Sequence, residues 1–157
     1  MKALYAAVAA AAVLASPAVI AQDKPADNMA IVMEKVRADK KLLVAANMNL
    51  TEQEAAGFWP VYESYQKDLG ALNERTRKAI TSYADAYNQG TVPDETAKKL
   101  LNEVLAIEAA EVEMRKSYVP KFEKVLPAAK VARYYQVENK IRAAIKYELA
   151  EGIPLVQ

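Results

Sequence analysis

From Phe58 onward the apolar positions of the chain recur at steps of three and four: Phe58, Tyr62, Tyr65, Leu69, Leu72, Thr76, Ala79, Tyr83 and Ala86. Four heptads of this spacing, with Thr76 the polar interruption, predict a long helix laid against another helix. The residues ahead of the run supply its start. Thr51 is placed to accept from the Glu54 backbone N–H while the Glu54 side chain returns to the Thr51 N–H, and Leu50 covers the first turn from outside. Asn88-Gln89-Gly90 supplies the stop, with Gly90 suited to a left-handed position after the last turn. A helix over 52–88 reaches ~55 Å at ~1.5 Å per residue, so an elongated molecule is expected. Pro60 falls inside it and has no N–H for the Ala56 carbonyl. A kink near 56–60 is expected, with Gly57 leaving room for it.

The remaining pattern is also helical. Met29, Val32, Val36 and Leu43 predict a first helix over about 28–46. After the turn at 91–96, one apolar seam runs through Ala97, Leu100, Val104, Ile107, Met114 and Tyr118. A second runs through Leu101, Leu105, Val112, Val119, Phe122 and Leu126, and two adjacent seams imply more than one neighbour. Pro120 and Pro127 are expected to bend or end this third helix. Val131, Tyr134, Ile141, Ile145 and Leu149 mark a last helix over about 127–149, closed by Gly152 and Pro154. The expected fold is all-α: an elongated four-helix hairpin, two long antiparallel helices with a shorter helix packed at either end.

The first 21 residues break this pattern. Lys2, the apolar run Ala3–Ala15, Pro17 and the small residue Ala21 read as a secretion signal cut after Ala21. The run is too short to span a membrane and no later stretch is charge-free for long enough, so no membrane span is expected in the mature protein. Residues 22–27 read as a flexible leader, 28–152 as one domain and 153–157 as a C-terminal tail. Without Lys2 the 21 basic residues become 20, against 20 acidic ones. A balanced, exported chain is a poor nucleic-acid binder.

Composition narrows the chemistry. With no cysteine and no histidine, disulfides, thiol nucleophiles, Ser-His pairs and zinc sites on imidazole or thiolate are excluded. The usual general base near neutral pH is missing as well. No catalytic residue, cofactor or metal site is therefore expected. Glu108, Glu111 and Glu113 lie close on one helix, but a metal site in a helical bundle would pair Glu with His at i+3, so they read as a solvated acidic face.

The stretch 50–65 has a partner 76 residues on. Leu50, Ala56, Phe58, Trp59 and Val61 align with Leu126, Ala132, Tyr134, Tyr135 and Val137. Each copy puts Leu before a helix start and an aromatic pair two turns later, so each is expected to cap one end of the hairpin; shared helix-start chemistry explains the likeness equally well. Leu50-Thr51-x-x-Glu54, followed by a long helix, a turn and a second long helix in an exported chain without His or Cys, resembles the periplasmic LTxxQ-motif family of Spy/CpxP-like proteins. Position 54 carries Glu where that family has Gln, and the second copy begins Leu126-Pro127 instead of Leu-Thr. The resemblance implies an all-α hairpin, a homodimer and a periplasmic location. It also implies either an ATP-independent chaperone for unfolded envelope proteins or a stress regulator docking one specific partner such as a sensor kinase.

Two readings of the aromatics follow. Tyrosine rings fill seams between thin helices while their hydroxyls reach water. Alternatively, Phe58, Trp59, Tyr62, Tyr87, Tyr118, Tyr134 and Tyr135 form a partner-binding surface. Leu50, Thr51, Glu54, Gly57, Pro60, Leu126 and Pro127 are expected to be structural, setting helix starts and bends.

Overall fold

The computed structural model describes residues 38–156. The expected signal, the leader and the start of the expected first helix lie outside the described residues. Every regular element among the described residues is helical: α1 over 38–48, α2 Glu52–Asn88, α3 Asp94–Glu123 and α4 Ala128–Gly152.

Local chemistry sets the boundaries. At the start of α2 the Glu54 N–H donates to Thr51 Oγ1 at 3.2 Å, and the Thr51 N–H donates to Glu54 Oε2 at 2.8 Å, completing the capping box. Between α1 and α2, Asn49 takes a left-handed φ of 47°, which asparagine tolerates better than most residues and which turns the chain sharply. After α2, Gly90 takes φ 106°, a conformation that favours glycine. Pro93 and Pro127 each stand in extended backbone just ahead of α3 and α4.

α2 and α3 form the long antiparallel hairpin. Pro60 lies within α2 and Pro120 within α3, and neither ends its helix. Both prolines are exposed, so each ring meets water instead of a packed neighbour. At Gly57 a second element comes close. A Cβ built on it would lie 2.9 Å from Val125 Cβ and Cγ1, so glycine here lets the turn after α3 approach α2.

Both shorter helices meet the hairpin where α2 begins and α3 ends. α1 runs antiparallel to α2, with Lys40 bonded to Gln66 and Lys41 to Glu63. α4 starts beside α2 and follows it in the same direction: Lys130 bonds Glu54, the Tyr134 ring lies 5.2 Å from that of Phe58, and Gln66 bonds Glu138. The two related stretches therefore do not cap opposite ends. They lie side by side, and the matched positions 54 with 130 and 58 with 134 touch each other. The C-terminal end of α1 closes against α4, where Lys130 donates to the Asn49 carbonyl at 3.0 Å and Arg133 donates to the Asn47 carbonyl. Cations at a helix C-terminus meet carbonyls that have no helical donor and the negative end of the helix dipole.

The core sits at this four-helix end. Val44, Met48, Phe58, Tyr62, Tyr65, Leu69, Tyr118, Phe122, Leu126, Val131 and Tyr134 form one buried cluster. In α1 the buried positions are Val44 and Met48, whereas Leu43, expected on the inner face, is 52% exposed. The inner face of α1 is thus one residue out of register with the expectation.

Candidate functional site

The aromatic residues expected to bind a partner are mostly core. Phe58 and Tyr134 are 0% exposed, Tyr62 2% and Tyr118 3%, which puts them out of reach of a partner. The reason is the convergence of four helices: Phe122 lies 5.6 Å from Phe58 and 4.7 Å from Tyr134, and the Tyr65 ring meets that of Tyr118 edge-on at 5.3 Å. Such pairs add roughly 0.5–1.5 kcal/mol each beyond the area they bury. Trp59, Tyr87 and Tyr135 keep partial exposure but are not gathered on one surface. Trp59 lies under the Lys41 ammonium at 5.1 Å, Tyr135 donates to the Arg115 carbonyl at 2.6 Å, and Tyr87 packs near Tyr83 far along α2.

The core also holds a charge that the sequence reading passed over. Glu138 is 0% exposed. Its Oε1 accepts from Gln66 Nε2 at 2.9 Å and from the Tyr134 hydroxyl at 3.1 Å, and its Oε2 lies 2.9 Å from Lys40 Nζ. The aligned hydrogen bond of Lys40 goes to Gln66 Oε1 at 3.0 Å. One network thus ties α1, α2 and α4 together. A signal was present: Glu138 lies four residues after Tyr134 and three before Ile141, on the apolar seam of α4.

Enclosure suppresses tyrosine ionisation. Burial, reinforced by the Glu138 carboxylate, holds the hydroxyls of Tyr62, Tyr65 and Tyr134 protonated far above the ordinary range. Burial, with the Asp68 carboxylate that accepts its hydrogen bond at 2.6 Å, pushes Tyr118 up to about 12. Burial likewise raises Tyr135 to about 12, against an opposing effect of Arg115. A hydrogen bond from Lys130, followed by one from the Thr51 N–H, holds Glu54 below its usual value.

The three α3 glutamates expected to form an acidic face are each paired with a cation. Glu108 lies 3.2 Å from Lys146, Glu111 2.5 Å from Arg142 and Glu113 2.8 Å from Lys116. Glu111 is buried rather than part of a solvated face, because α4 crosses over it. Among the described residues no cluster of three potential ligands is placed to hold a metal ion, and no helix is long and apolar enough to cross a membrane.

What the fold leaves open is an apolar face. The second seam of α3 is covered only in its last turns, where Phe122 and Leu126 are buried. Leu101, Leu105 and Val112 are 59%, 54% and 48% exposed, and Val104 on the neighbouring seam is 44% exposed. On α4, Ile145 is 48% exposed and Leu149 39%. Ion pairs such as Arg75–Glu103 and Lys146–Glu108 accompany this face. Large apolar side chains gathered at a surface mark interaction sites more often than scattered ones do. Searches against protein-family models, curated proteins and solved structures find no match to this chain.

Proposed function

We propose that the protein is an exported, periplasmic helical binding protein that shields apolar segments of other proteins, in the manner implied by its resemblance to the LTxxQ-motif family. The observation that carries this reading is the uncovered apolar stripe of α3 at Leu101, Leu105 and Val112. No bond is made or broken in such a role. Each apolar Å² withdrawn from water contributes ~25 cal/mol, set against the cost of immobilising the client. The accompanying charges keep the complex in solution.

The experiment is light scattering of a chemically denatured client diluted into buffer with and without the protein. Suppression of aggregation at equimolar protein is expected, and Leu101→Asp with Leu105→Asp should remove it while leaving helical circular dichroism unchanged. No suppression by the unaltered protein would defeat the reading. A second reading, a regulator docking one envelope partner such as a sensor kinase, is favoured by the ordered ion pairs beside the apolar face, which suit a defined complementary surface. Capture from periplasmic extract separates the two: many clients, or one saturable partner.

A further inference from the structure

Past α4 the backbone leaves the helix, with Ile153 extended at φ −99° and ψ 114°. Residues 153–156 then lie against the far part of the hairpin. Ile153 and Val156 line an apolar groove of about 280 Å³ whose other walls include Ala79 and Ile80 of α2 and Leu100 and Val104 of α3. One hydrogen bond joins them to the hairpin: the Tyr83 hydroxyl donates to the Pro154 carbonyl at 2.9 Å.

These features define what the groove accepts. Its walls contact side chains without hydrogen-bonding them, and its one polar contact is to a backbone carbonyl, which every sequence possesses. An extended segment with apolar residues three positions apart satisfies both. Residues 153–156 form the groove's outer wall and are lightly seated, since Val156 is 56% exposed and Leu155 88%. This outer wall is nevertheless tethered, so its local concentration over the α2 and α3 walls is of order millimolar for a short connection. The groove also joins the open face, because Val104 and Leu101 line the groove and are exposed on that face.

We propose that this groove binds an extended apolar segment of another protein in place of residues 153–156, which act as a built-in competitor. The inference rests on the reading that the protein shields apolar segments; it names the seat of one such segment and the device that regulates access to it.

The test is fluorescence anisotropy with a labelled synthetic peptide of residues 151–157, blocked at both ends. The full chain is compared with a variant carrying Ile153→Ser and Val156→Ser. The variant should bind the peptide about tenfold more tightly than the unaltered chain, because the tethered competitor is gone. Adding Val104→Glu, at a partly exposed wall position, should cancel that gain with helical circular dichroism unchanged. A peptide with Asp at both apolar positions should not bind. Equal affinity for the unaltered and Ser-substituted chains, or binding indifferent to Val104→Glu, overturns the proposal. Tighter peptide binding by the Ser variant without suppression of client aggregation would retain the groove and defeat the general shielding role. Client protection without displacement of residues 153–156 would do the reverse.

Discussion

Around Phe58, Phe122 and Tyr134, side chains from all four helices close over one another and leave these rings 0% exposed. About 30 Å further along α2, at ~1.5 Å per residue, the seam passes through Ala79, and Ala79 and Ile107 are the buried apolar residues there outside the main cluster. The same two helices with the same heptad spacing thus build an enclosed aromatic core at one end and a seam with an open flank at the other. The difference is one of neighbours. At the first end α1 and α4 supply a third and fourth wall. At the second, α4 carries Ile145 and Leu149 past α3 without covering Leu101 or Leu105. Helical periodicity specifies which residues want a partner; it does not guarantee one.

The largest effects that test this contrast are truncations in the two regions. Phe58→Ala should lower unfolding free energy by about 3–5 kcal/mol, a cost usual for a buried aromatic, whereas Leu105→Ala should change it by less than about 0.5 kcal/mol, as at surface sites. Urea unfolding followed by circular dichroism measures both, and similar losses would erase the difference between the two ends of the hairpin.

Next come the ion pairs. Removing the buried carboxylate with Glu138→Ala strands Lys40, whose side chain is 13% exposed, and should cost about 3 kcal/mol. Glu108→Ala, in a pair 55% exposed on both sides, should cost under about 1 kcal/mol. A double-mutant cycle between Lys40 and Glu138 isolates the coupling, and a coupling near zero would remove this network from the forces holding α1 in place.

Glycine substitutions sharpen the comparison at smaller scale and with opposite signs. Gly57→Ala drives a methyl into Val125 and should destabilise by about 1–3 kcal/mol. At Gly70 nothing lies within 4 Å of the added carbon, and Gly70→Ala should stabilise α2 by about 0.5–1 kcal/mol. Thermal midpoints moving the same way would contradict the close approach of α2 to the turn after α3.

The smallest effect is at the helix start. Because the folded protein holds Glu54 below the 4.5 of an unperturbed glutamate, its stabilising contribution is complete above that pH and is lost as pH falls through the lower folded value. Glu54→Gln should therefore flatten the acid limb of a stability-against-pH curve while leaving the alkaline limb unchanged. An unaltered acid limb would mean that the bonds to Lys130 and Thr51 contribute nothing to folding.

Much of the fold was legible in the residues themselves. The bounds of α2, its capping box, the left-handed Gly90 and the seam from Phe58 to Ala79 all rest on contacts within a few residues along the chain. The candidate site was far less so. Phe58, Tyr62, Tyr118 and Tyr134, which looked available to a partner, are enclosed, while Leu101, Leu105 and Val112, read as a second internal seam, are left open. Glu138 on an apolar seam was a visible irregularity, but Lys40, its partner across 98 positions, carries no mark in the sequence.

By itself, then, the sequence determined the helical class and, for α2 to α4, the approximate starts and stops and the apolar side, because backbone hydrogen bonds, caps and periodicity act over one or two turns. The tertiary structure alone decided that α1 and α4 meet the same end of the hairpin, that Val125 packs against Gly57, that a carboxylate is buried against a lysine, and that Leu101, Leu105 and Val112 stay in water. Each of these depends on which distant residue arrives opposite a given side chain, and that is fixed by how the helices pack.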